Sequence, residues 1–218
     1  MTHDGGDSGR AAKLPRRIAP GHQQSRIIPI GARSYIFVSD RAWRVLPVAT
    51  RASHPSSPAS SPSRMAVTVK TVPPTVFVMS SHEDVTIPEI PAVSRGVVDD
   101  MISDLQAHGV TPLAPVHFIY HGADGTLTTK FRLTIAFPIG KRPSQPIEDY
   151  EIAELPAFTC MAADYVGPMP DIQIAYDEIL DAIDASGRKR TPESREIYKK
   201  WIGFESPDNV TELQVGVA

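Results

Sequence analysis

The sequence predicts an α+β domain built from two βαββ units, with an antiparallel sheet carrying two helices on one face and a cleft on the other. Three observations predict it. From Met65 onward strand-like and helix-like patterns alternate, that order of elements repeats once, and a break in charge near Met65 sets this part apart from what precedes it.

The charge break is large. Residues 1–64 carry ten Lys/Arg against three Asp, a net of +7, and the rest carries twelve against twenty-two, a net of −10. The leader is rich in Arg, Ser and Pro, as in Ser53-His54-Pro55-Ser56-Ser57-Pro58, a composition that buries too little apolar surface to offset the entropy of ordering. Its apolar stretch from Arg26 to Val38 is interrupted by Pro29, Gly31 and Arg33, unlike a secretory core. An Arg- and Ser-rich, acid-poor leader also fits a transit peptide or a nucleic-acid arm, but no DNA-binding pattern accompanies the charge. We read 1–64 as a disordered extension, outside the native protein if translation starts at Met65, and 65–218 as the folded domain. One cysteine, Cys160, excludes an internal disulfide, and no apolar run reaches the ~18 residues of a membrane span. The chain is expected in the cytoplasm.

Thr75 to Met79 reads as a strand following Pro73-Pro74. Val93, Val97, Met101 and Leu105 share one face of a helix over about 92–108, which Gly109 stops. Val116 to Tyr120 is strand-like, and after the turn at Gly122-Ala123-Asp124-Gly125 comes the alternating run Phe131 to Phe137. The order then recurs. Pro156 to Val166 is a strand, residues 171–186 form a helix with Ile172, Ala175, Ile179 and Ile183 on one face, and Gly187 ends it. A strand around Glu196-Ile197-Tyr198 and a terminal one over 210–217 complete the second unit.

The repeat is visible within the chain itself. A shift of 78 carries Ala107 to Ala185, Gly109 to Gly187, Ile119 to Ile197 and Tyr120 to Tyr198. Strand alternation then assigns faces. Phe131, Leu133, Ile135 and Phe137, with Leu213, Val215 and Val217, should face the helices, leaving Arg132, Thr134, Ala136, Glu212 and Gln214 opposite. By the same logic Ile119 and Ile197 face the helices, while Phe118, Tyr120, Glu196 and Tyr198 join Glu212 on the uncovered face. A carboxylate, two tyrosines and a phenylalanine would converge there at the pseudo-twofold seam.

The run Tyr165-Val166-Gly167-Pro168, the helix with Ala175-Tyr176, then Glu196-x-Tyr198 and Thr211-Glu212-x-Gln214 resembles the GyrI-like small-molecule-binding domain, over about residues 66–218. That domain is shared by gyrase-inhibitor proteins and by the effector-binding halves of multidrug-responsive transcription activators. The resemblance implies a central cleft for cationic aromatic ligands, with Glu212 as the acidic contact and Tyr120 and Tyr198 as flanking aromatics. Phe118, Thr134 and Gln214 complete the expected ligand-binding set. The family often has a second acidic residue where this chain has Thr134, so one acidic pole is expected.

The function expected is binding of aromatic or cationic small molecules in a central cleft by a stand-alone sensing or sequestering protein, without direct nucleic-acid binding. A separate regulator or DNA gyrase is a partner by analogy only. Two other readings share the architecture: hydrolysis of reactive cyclopropane-bearing compounds, with a pocket Glu activating water, and haem binding, which lacks a convincing axial histidine here. No cofactor, metal site or catalytic set is expected; Asp177, Glu178, Asp181 and Asp184 read as a solvated helix face, and His117 and His121 fit no zinc pair.

Overall fold

The computed structural model describes residues 65–218 and, within the leader, the backbone of two short paired strands, β1 (Ile28–Ile30) and β2 (Ser34–Ile36). The expectations for the rest of the leader lie outside the described residues. From Thr68 the elements are β3 (Thr68–Val72), β4 (Thr75–Val85), α1 (Ile90–Ser94), α2 (Val97–Ala107), β5 (His117–His121), β6 (Phe131–Ile139), β7 (Glu151–Leu155), β8 (Phe158–Val166), α3 (Ile172–Ser186), β9 (Arg190–Lys200) and β10 (Val210–Val217). This is the α+β duplication the sequence predicts, with two differences. The first helix is broken in two, because Arg95 is extended and Gly96 takes a positive φ of 85° that a glycine adopts at little cost. Two further strands, β3 and β7, precede the first strand of each unit; both are short and largely exposed, so neither shows the alternation that marks a half-buried strand.

Eight strands form one antiparallel sheet in the order β3-β8-β10-β9-β5-β6-β4-β7. The order reads the same from either end when each strand is exchanged for its repeat, and the axis passes between β9 and β5. Phe118 and Glu196, which the 78-residue shift equates, lie directly opposite one another there. The ends of the sheet are tied together. β3 pairs with β8 from Thr68↔Ala162 to Val72↔Phe158, and β4 pairs with β7 from Thr75↔Leu155 to Met79↔Glu151. The register continues unbroken across Pro73-Pro74 and Pro156-Ala157, so two long chain segments make one ribbon joining opposite ends of the sheet. A two-residue link spans only about 10 Å, so the sheet must curl.

Curling gives the sheet two unequal faces. On the outer one, Met101, Ile102 and Leu105 of α2 pack with Phe118, Tyr120, Leu133, Ile135 and Phe137, while Ala175, Ile179 and Ile183 of α3 pack with Met161, Ala163, Leu213 and Val215. The inner clusters contain strand and ribbon residues only: Phe77, Met79, Ile119 and Ala136 in one, Phe158, Cys160 and Ala162 in the other. Both faces bury apolar area, at about 25 cal/mol per Å² removed from water, so the sheet is held from both sides.

Candidate functional site

Glu212, Gln214 and Thr134 occupy the helix-free inner face, as the alternation predicts. Glu212 is buried and held by cations from two strands: Lys70 Nζ of β3 donates to it at 2.5 Å and Lys199 Nζ of β9 approaches at 2.7 Å. Gln214 Nε2 donates to the same carboxylate at 2.6 Å. Burial alone pushes this carboxyl up, but the hydrogen bonds from Lys199, Lys70 and Gln214 outweigh it and hold it down at about 2. Glu212 is therefore a paired anion. Thr134 shares a hydroxyl hydrogen bond with Ser81 at 2.9 Å. Beside them Arg195, 3% exposed, ion-pairs with Glu193 and stacks its guanidinium 4.0 Å above the Phe158 ring. His117 is neutral, since burial and then the Arg195 charge bring it down to about 3.

Tyr120, Tyr198 and Phe118 lie on the other face, which corrects the predicted convergence with Glu212. Cross-strand pairs share a face, and the observed pairs are Ile119↔Thr134, Tyr120↔Leu133, Leu213↔Glu196 and Glu212↔Ile197. Ile119 and Ile197 thus face inward with Glu212, while Phe118, Tyr120, Glu196 and Tyr198 face the helices. Parity along each strand is as expected; the assignment of β5 and β9 to a side is reversed. β5 is buried on both faces, so its apolar pattern carries no sign of which side the helices cover.

What these residues form instead is a cage around Glu196. Tyr120 donates its hydroxyl to Glu196 Oε2 at 2.9 Å and Tyr198 to the same oxygen at 2.6 Å, while Tyr176 of α3 donates to Oε1 at 3.0 Å. Each repeat contributes one of the equivalent tyrosines, Tyr120 and Tyr198, and the carboxylate sits between them on the axis. Around the hydroxyls the rings pack edge to face: Phe118 with Tyr198 at 5.0 Å, Tyr120 with Phe131 at 5.7 Å and Tyr198 with Trp201 at 5.4 Å. Among the described residues no Lys, Arg or His ion-pairs with Glu196. Burial raises its carboxyl above the usual range, against the opposing effect of the three tyrosine hydrogen bonds, and the tyrosines are themselves raised by burial and by the Glu196 charge. The cage therefore holds a desolvated acid stabilised by neutral donors, with aromatic surface around it. Tyr176 and Trp201 also belong to it; the run that carries the family resemblance includes Tyr176 but gives it no role, and a helix residue and a loop residue come to the cage through the tertiary fold alone.

Among the described residues no helix is long and apolar enough to cross a membrane. No curated protein matches the chain. Among solved structures, the C-terminal domain of EcmrR superposes with a TM-score of 0.55 at 18% identity, over 71% of this chain and 98% of that one. EcmrR in its complex with DNA gives 0.58 at 16% identity over 71% of this chain, but the match spans only 57% of that longer chain. SAV2435, solved bound to tetraphenylphosphonium, gives 0.53 at 17% identity over 71% of this chain and 94% of that one. At these identities the likeness is one of fold. Residues 65–217 also match the profile of the GyrI-like small molecule binding domain across its described fold, and the chain belongs to that family.

Proposed function

We propose that this protein binds small aromatic cations in the Glu196 cage, as a sensing or sequestering module of the cytoplasm. The observation that carries the reading is a buried carboxylate on the symmetry axis whose hydrogen-bond partners are three tyrosine hydroxyls and which, among the described residues, ion-pairs with no cation. A lone buried carboxylate is costly, and an incoming cation supplies the missing charge while the aromatic walls replace its hydration. Each cation–π contact adds about 0.5–2 kcal/mol. The domain's net charge of −10 attracts cations at long range. Glu212 is the weaker candidate because Lys70 and Lys199 already neutralise it. The tetraphenylphosphonium bound to SAV2435, an aromatic cation on a related fold, supports the same ligand class.

Titration calorimetry with tetraphenylphosphonium tests this. Glu196→Gln, which keeps the size and an acceptor for the tyrosines, should weaken binding by about tenfold or more, the scale on which losing one partner of a buried charge pair acts. Glu212→Gln should stay within about twofold of wild type, since Glu212 lies on the other face. Loss of binding in Glu212→Gln with full binding in Glu196→Gln reverses the assignment.

A further inference from the structure

The loop between β9 and β10, residues 201–209, is organised around one side chain. Asn209 is fully buried, and its Oδ1 accepts from the backbone N–H groups of Ile202 at 2.9 Å and Gly203 at 3.4 Å, while its Nδ2 donates to the Gly203 carbonyl at 2.7 Å. The backbone ties the same loop to the segment leading into α3: Gly167 N–H donates to the Asn209 carbonyl at 3.2 Å and Met169 N–H to the Phe204 carbonyl at 2.8 Å. So the loop is fixed to β9, to β10 and to the approach to α3, the helix that carries Tyr176.

The first residue this clamp locates is Trp201. Its indole stands perpendicular to Tyr198 at 5.4 Å between centroids, and Tyr198 in turn packs edge to face with Phe118 and gives its hydroxyl to Glu196. Glu196 is 7% exposed, whereas Trp201 is only half-buried. The indole and the Tyr198 ring it meets are both half-buried, so together they form the solvent side of the buried carboxylate. Of the aromatic side chains tryptophan offers a cation the best face, and its ring also pairs with other rings. A polar amide spent on fixing three backbone groups of a surface loop is a device for holding that ring in one place.

We propose that Trp201 is the selectivity wall of the cage, the residue that favours aryl-bearing cations over alkyl cations of the same charge, and that Asn209 is its positioning residue. The inference rests on the reading of Glu196 as the cation site and divides the labour within it: Glu196 reads charge, and Trp201 reads the π surface that accompanies it.

The test compares tetraphenylphosphonium with tetrabutylphosphonium, which share charge and central atom, using the full chain with Trp43→Phe so that Trp201 is the single tryptophan, excited where tyrosine does not absorb. Binding of the phenyl cation is expected to change Trp201 emission. Trp201→Leu, measured by calorimetry, should weaken the phenyl cation more than the butyl cation and so reduce the preference by about fivefold to tenfold, the scale of one aromatic ring pair. Asn209→Ala should shift Trp201 emission to the red and reduce the preference in the same direction, with far-UV circular dichroism confirming the fold of each variant. An unchanged preference in Trp201→Leu, with Glu196→Gln losing both cations, overturns the selectivity role and leaves the cage standing. Equal binding of both cations by Glu196→Gln and wild type overturns the cage reading itself. Wild-type emission and preference in Asn209→Ala overturn the positioning role.

Discussion

Two buried glutamates on opposite faces of one sheet are tuned in opposite directions. Glu212, held at about 2 by two lysines and a glutamine, adds stability that is fully present above the ordinary carboxyl range and is lost as pH falls from about 4.5 towards 2. Its Lys partners are partly exposed and can be rehydrated, so Glu212→Gln should cost only about 1 kcal/mol at neutral pH, measured by urea unfolding. Glu196 has the reverse sign: its folded carboxyl is raised, so its contribution is fullest below about 4.5 and declines as pH rises through the raised value. Glu196→Gln should therefore raise Tm at neutral pH relative to wild type and flatten the decline of Tm above pH 4.5. Cation binding should follow the other limb, strengthening as pH rises and Glu196 ionises. A variant that is more stable and binds less is the signature of a residue kept for its ligand.

At the scale of elements, β10 works because one position has no side chain. A methyl group built on Gly216 would meet the Thr191 hydroxyl, lie 2.8 Å from Phe158 Cε2 and 2.9 Å from the Glu193 carbonyl. That clearance lets the Phe158 ring cross β10 and lie under the Arg195 guanidinium. Gly216→Ala should cost about 2 kcal/mol as overpacking, seen as a lower urea midpoint with unchanged slope. The elements themselves are largely legible in the sequence. Gly109 and Gly187 take the positive φ expected of helix stops, and the alternation of β6 and β10 assigns their inner and outer residues correctly. What the sequence hides is register. Phe118 with Tyr120 and Glu196 with Tyr198 are correctly paired along their strands, but β5 is buried on both faces and β9 pairs with it, so one ambiguity of side moved four side chains across the sheet. The sequence therefore supplies Tyr120, Tyr198 and Phe118 as site residues but gives them Glu212 as their acid, where the fold gives them Glu196 and adds Tyr176.

At the scale of the whole molecule the duplication is the most legible feature, because it leaves identities at a fixed spacing. The joining ribbon is the least legible. β3 and β7 are separated by 83 residues and occupy equivalent places, yet each pairs with a strand of the other repeat, and nothing in a short exposed segment says which partner it takes. Pairing of this kind makes each half depend on the other for an edge strand. Separately expressed 65–140 and 141–218 should each lack a cooperative unfolding transition and gain one when mixed, as seen by circular dichroism.

The crossed ribbon also fixes how the molecule can move. Mechanically it is a closed linkage: Pro73-Pro74 and Pro156-Ala157 bind the far ends of the two halves, while β5 and β9 bind them at the centre. Two bodies fastened at opposite points have no hinge about which to part. Access to a carboxylate on the axis must come from displacement of helices, loops or single rings over a sheet that stays shut, so the rate of ligand entry is set by those small parts and not by the spreading of the two repeats.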